Sequence, residues 1–247
     1  MIALITLLGI AGELSRNFTP DDRDLLPRFL RVLRRNFNPS AEQTVGAWFS
    51  AAMLLVAGLL LGVIAAAGRA TGDRFATHWR TLAAVALFLS YDEAAAFHEQ
   101  LGDWFARVLP TGGIFLWAWV VPYSIFAGAV LLASIPWLRA LPPDTRRGVL
   151  LAGGLYVGGS LVLEMIQAGL TDACGRGGGS ITVLAVIEET AEMLGVAVFL
   201  HTLLRHLARH VPVHLAFASS SRAIAVPDDV TGNSPHRTPT AVSDPAG

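Results

Sequence analysis

The feature that most constrains this chain is a series of apolar runs, each close to the ~20 residues that carry a helix across ~30 Å of hydrocarbon. They are read at 45–67, 80–100, 114–138, 149–168 and 181–204. Lipid offers no water to satisfy stray backbone groups, so runs of this kind must be helices. The expected fold is an all-α integral membrane protein. It is a bundle of five transmembrane helices, or six if the short apolar stretch 1–12 counts as a shortened span. Composition agrees: 15% of residues are charged, against about 25% in soluble domains, and the mean hydropathy is +0.53.

The chain divides into an N-terminal part (1–44), the bundle (45–210) and a polar tail (216–247) rich in Pro, Ser, Thr, Asp and Gly, read as disordered. Residues 1–12 lack a basic leader, which weakens a signal-peptide reading and leaves a truncated span or an interfacial anchor. Residues 21–37 are Arg-rich, with Leu26, Phe29, Leu30, Leu33 and Phe37 at helical spacing. That pattern suits an amphipathic helix on the membrane surface or a solvated helix packed on the bundle. Trp79 and Trp104, and Trp117 and Trp137, flank two spans like interfacial anchors. Pro122 is expected to kink the third span. Gly154 and Gly158 form a GxxxG spacing that would let another helix approach.

Charge and cysteine exclude several classes. The formal net charge is −1, with no basic surface for nucleic acid. All 18 basic residues are Arg, which with the abundant Ala and Gly points to a GC-rich bacterial genome and the bacterial cytoplasmic membrane. Arg69, Arg74, Arg80, Arg139, Arg146, Arg147, Arg205 and Arg209 fall on one side, the expected cytoplasmic face. The Arg-rich segment 21–37 opposes that orientation. Cys174 is the single cysteine, so no intrachain disulfide or thiolate cluster can form.

Acids inside apolar spans cost roughly 2.5–3.5 kcal/mol each on insertion scales and are functional candidates by default. The second span carries Asp92, Glu93, His98 and Glu99; the fourth carries Glu164; the fifth carries Glu188, Glu189 and Glu192. In a continuous helix Asp92 and Glu99, seven apart, share a face. Glu188 and Glu192 share one also, as do Glu189 and Glu192. Counted from the correct end of each span at ~1.5 Å per residue, these acids and Glu42 fall in one leaflet. Several close carboxylates cannot all stay ionised in low dielectric, so bound cations or shared protons are expected.

The expected metal ligands are Asp92, His98, Glu99, Glu164, Glu188 and Glu192, with Glu93 or Glu189 as general base. Oxygen and imidazole together suit iron, manganese or zinc, and oxygen alone suits magnesium or calcium. A wet vestibule that merely solvates the acids is the plain alternative. His201 and His206 lie at the other end of the fifth span and read as interfacial. The Gly-rich stretch 175–179 matches no phosphate-binding pattern and reads as a connector.

At these residues the chain resembles a family of uncharacterised bacterial multipass membrane proteins. The shared pattern is a Ser-x-Asp-Glu…His-Glu helix (here Ser90 to Glu99), a Gly-rich helix ending in Glu (Ala152 to Glu164), and Glu-Glu-x-x-Glu-Met-x-Gly (Glu188 to Gly195). The entry with Trp48-Phe49-Ser50 is similar too. The resemblance covers about 42–204 and implies the site without implying a reaction. Ferritin-like Glu-x-x-His pairs and the His-Glu-x-x-His zinc motif are not matched. Three functions follow: a membrane metalloenzyme acting on a lipid-borne or small substrate, a cation- or proton-coupled transporter, or a non-catalytic sensor or scaffold.

Overall fold

A computed structural model describes residues 1–14, 29, 31–32, 35–38, 44–175 and 179–211. All of these lie in the first of the chain's two compact units, Met1–Val213; the second, His214–Gly247, lies outside the described residues. So do Glu42, most of the segment 21–37, and the tail 216–247.

The described residues are helical, with no strand among them. The elements are α1 (Ile2–Leu14), α2 (Val45–Thr71), α3 (Ala76–Ala95), α4 (Phe97–Phe105), a 3₁₀ turn (Gly113–Phe115) and α5 (Val120–Ala140). They continue with α6 (Pro143–Val157), a π-helical turn (Gly158–Leu163), α7 (Glu164–Cys174) and α8 (Gly179–His210). Among the described residues, three helices are long and apolar enough to cross a membrane: α2, α5 and the continuous Pro143–Cys174 helix formed by α6, the π turn and α7. They present large apolar side chains outward, among them Leu59, Ile125, Leu132 and Leu151. In water such faces would aggregate; against lipid they are solvated.

The long helix α2 is bounded by local chemistry. Thr44 caps its start, with Oγ1 accepting from the Ala47 N–H at 3.3 Å. At its end Gly72 takes the left-handed conformation at φ 74°, and its N–H turns back to the Arg69 and Gly68 carbonyls. The Asp73 carboxylate then accepts from the Phe75 N–H at 2.9 Å, which starts α3 antiparallel to α2. Those two helices make the most extensive pairing, lined by Ala57, Ala83 and Ala86. A Cβ on Gly58 would stand 2.8 Å from Leu87 Cδ2, so the small residue sets their separation.

The main apolar core lies at the arginine-rich end, where Leu61, Ile64, Trp79, Trp137 and Leu203 are almost wholly buried. Trp79 and Trp137 therefore do not serve as exposed anchors. They meet edge to face at 4.8 Å inside the bundle. Pro122 also departs from expectation: it occupies the first turn of α5, where no N–H is needed, and Pro136 is the interior proline. The GxxxG expectation shifts by one helix face. A Cβ on Gly154 or Gly158 would meet nothing within 4 Å. The close approach is instead at Gly159 and, across from α6, at Gly195.

His206 closes this core, buried and 3.2 Å from the Thr145 hydroxyl through Nδ1, with its ring 5.1 Å from Trp79. Burial, and then the neighbouring His210, lower its pKa against the opposing pull of Asp144 and Asp73. A depressed histidine pKa means the unfolded chain binds more protons than the folded one. The stability it contributes is therefore complete above about pH 6.5 and is lost as pH falls through the lowered folded value. The expected result is a melting temperature that falls on acidification below pH ~6.5, with a smaller acid limb in His206→Gln. An identical acid limb in the variant would assign the effect elsewhere.

Candidate functional site

The opposite end of the bundle holds the acids, and a break in a helix organises half of them. The run 80–100 is not one helix. It stops at Ala96, which adopts φ 48°, ψ 45°, the one non-glycine positive φ among the described residues. The left-handed conformation costs an alanine about 1–2 kcal/mol, and Ala96 is nevertheless buried.

In an unbroken helix His98 would sit about 240° around from Asp92 at ~100° per residue. The break folds α4 back, so His98 Nδ1 lies 3.1 Å from Asp92 Oδ2. Tyr123 of α5 donates its hydroxyl to Asp92 Oδ1 at 2.6 Å. Asp92 is thus 6% exposed with both oxygens engaged. The His98 ring packs 4.7 Å from Trp119, and Gly102 gives that indole room, since a Cβ there would stand 3.3 Å from it.

The same break undoes the seven-residue argument for Glu99. Glu99 lies in the first turn of α4 at an exposed position rather than stacking above Asp92.

The second half of the site sits between α7 and α8. The π turn ends at Glu164, where one widened turn re-aims the helix. Gln167, one turn further on the same face and 4% exposed, donates its amide to Glu188 Oε2 on α8. Glu192, one turn beyond Glu188, packs where Gly159 leaves space. A Cβ on Gly159 would stand 2.9 Å from Glu192 Cγ and 3.2 Å from the Glu188 carbonyl.

Around Glu192 lie, in order of electrostatic influence, Glu93, Glu189, Glu188 and Glu164. Tyr156 is within electrostatic reach of Glu192, Glu93, Asp92 and Tyr123, and so connects the two halves. Glu93, Glu164, Glu188, Glu189 and Glu192 are all half-buried. Five acids read from three separate runs of sequence therefore converge. Among the described residues, no three His, Cys, Asp or Glu side chains are already arranged as a metal shell.

Tyr123, Tyr156 and Gln167 are site residues that a search restricted to carboxylates and histidine misses. Gln167 was signalled by its spacing of three from Glu164, which puts both on one helix face. The two tyrosines carry a polar tip on an apolar body, and nothing in their local sequence distinguishes them from packing aromatics.

Tyr123→Phe removes the shortest bond to a buried carboxylate. The expected loss is about 1.5–3 kcal/mol, read as a lower melting temperature in detergent. Wild-type stability in that variant would mean that Asp92 is satisfied without Tyr123.

No curated protein and no solved structure matches the chain. A family model described as "Domain of unknown function (DUF8692)" matches residues 1–207, which takes in every helix that contributes to the site. The chain belongs to the DUF8692 family.

Proposed function

We propose that this protein is a multipass bacterial membrane protein of the cytoplasmic membrane whose converging carboxylates bind a divalent cation. In this reading it is a membrane metalloenzyme acting on a lipid-borne or small substrate. The five-span bundle consists of α2, α3 with α4, α5, α6 with α7, and α8, with α1 as a short sixth apolar helix. α3, α7 and α8 carry the acids, with two or more on α3 and on α8.

The observation that carries the proposal is the crowding of Glu93, Glu164, Glu188 and Glu189 around Glu192. Like charges at close range in low dielectric favour uptake of positive charge. Glutamate side chains on α7 and α8 have the rotamer freedom to close on an ion. Glu164, Glu188 and Glu192 would hold it, with the Asp92-oriented His98 as the nitrogen donor and Glu99 at the rim. Such an ion would supply Lewis acidity and an acidified water, and Glu93 or Glu189 would serve as the base. Iron, manganese or zinc suits a shell that includes His98; magnesium or calcium suits one of oxygen alone.

A proton- or cation-coupled transporter is the second reading. It draws support from the lack of a ready three-ligand shell among the described residues, because close carboxylates can share protons without one. Against it stands the buried apolar cluster of Leu61, Ile64, Trp79, Trp137 and Leu203 at the far end.

Metal analysis of the purified protein, paired with proteoliposome flux, separates the two. A divalent metal near one per chain without flux supports the enzyme. Flux without bound metal supports the transporter.

A further inference from the structure

Among the described residues, two buried polar side-chain atoms have no hydrogen-bond partner, Ser50 Oγ and Trp137 Nε1. Trp137 belongs to the apolar core at the arginine-rich end. Ser50 lies on α2 toward the other end and is 1% exposed. Buried hydroxyls are nearly always paired, and an unpaired one costs stability. Other hydroxyls on the long helices turn back on their own helix. Ser134, Ser160, Thr190 and Thr202 each donate to the carbonyl four residues earlier. Ser50 makes no such bond to Gly46.

The direction of Ser50 follows from its neighbours on α2. A Cβ on Gly46 would stand 3.5 Å from Glu189 Oε2 of α8, and one on Gly58 would stand 2.8 Å from Leu87 Cδ2 of α3. At ~100° per residue, Ser50 lies about 40° around the helix from Gly46 and about 80° from Gly58, between the two. It therefore points toward the seam of α3 and α8. That seam carries Glu93 and Glu192, and Glu93 is the strongest of the charges acting on Glu192.

The level of Ser50 agrees. α2 and α8 run parallel, from Gly46 near Glu189 to a core that Leu61 and Leu203 share. One turn on from Gly46, Ser50 comes level with Glu192 and Met193. The antiparallel α3 is pinned by Ser90, whose hydroxyl donates to the Ala51 carbonyl at 2.8 Å. Three residues beyond that contact, Glu93 falls within about 3 Å of the level of Ser50, at ~1.5 Å per residue.

We propose that Ser50 is the α2 ligand of the cation site, its hydroxyl oxygen binding the divalent ion and its proton donated to a carboxylate of the cluster. The inference rests on the metal-binding reading and deepens it. A hydroxyl has two lone pairs and one proton, so a single group can do both. Serine and threonine hydroxyls bind magnesium in phosphate-binding loops. A neutral oxygen also adds a ligand without adding charge to crowded acids.

The test titrates the full chain in lipid nanodiscs with manganese and with cadmium. A Cys174→Ser background removes the exposed native thiol. Ser50→Ala should weaken manganese binding about tenfold or more, the scale of changes around metal ligands. Without added cation it should melt no lower than the parent, because the group it removes is unpaired. Ser50→Cys should raise the ratio of cadmium to manganese affinity about tenfold or more, since thiolates prefer soft metals.

Equal manganese affinity in the parent and Ser50→Ala overturns the proposal and leaves the metal-binding reading standing. So does an unchanged ratio in Ser50→Cys, or a Ser50→Ala protein that melts lower without cation, which would give the hydroxyl a role in packing. A parent that binds neither ion overturns both.

Discussion

Glu192→Gln is expected to lower divalent-cation affinity by about 100-fold or more, since even outer-shell changes at metal sites cost 10–100-fold. Glu192 is chosen because Glu93, Glu164, Glu188 and Glu189 all act on it, and because its stem packs in the space left by Gly159. Glutamine keeps the shape and removes the charge, so the helix contact survives. The variant should also be more stable than wild type without added cation, because one member of a mutually repelling set is gone. The two effects have opposite signs, and a simple folding defect cannot produce that pair. Melting curves with and without manganese or zinc, in detergent, read both. A variant that loses stability in the absence of cation and still gains it normally from manganese would remove Glu192 from the site.

The largest structural effect is expected at Gly195. A Cβ there would stand 2.8 Å from the Tyr156 nitrogen and 3.0 Å from the Ala152 carbonyl, both backbone atoms that cannot rotate aside. Gly195→Ala should therefore force α6 and α8 apart, at a cost near the upper end of the 1–3 kcal/mol typical of overpacking, about 3 kcal/mol. Tyr156 moves with α6, so cation binding should weaken as well. Gly154→Ala is the control: with nothing within 4 Å of its Cβ, it should be neutral or gain up to about 1 kcal/mol from helix propensity. The difference in unfolding midpoint between the two alanine variants is the measurement. Equal midpoints would mean that α6 and α8 do not touch at Gly195.

What was legible in the sequence follows from which interactions are local. Long apolar runs need no tertiary information, so the helical content and the three membrane-length helices could be read directly. That Glu164 and Glu188 come within electrostatic reach of Glu192 accords with a count along each run, because rise per residue is fixed. The break at Ala96 could not be read. Alanine is the best helix former, and the contacts that accompany its left-handed turn, His98 with Asp92 across the break and Tyr123 of α5 on Asp92, are tertiary ones. Trp79 and Trp137 looked like interfacial anchors because position along a span is visible in sequence and the face turned toward the core is not. The glycine pairing failed for a related reason: Gly154–Gly158 has the right spacing, but α8 lies over Gly159, and α6 lies over Gly195 of α8.

The central claim is that the carboxylates of α3, α7 and α8 form one cation site. An element-specific anomalous difference map of the wild-type protein, prepared with manganese or zinc, tests it most directly. The account predicts a peak within about 2.0–2.6 Å of oxygens from Glu164, Glu188 and Glu192. A map without a peak there, from protein shown to be folded and saturated with metal salt, would contradict it.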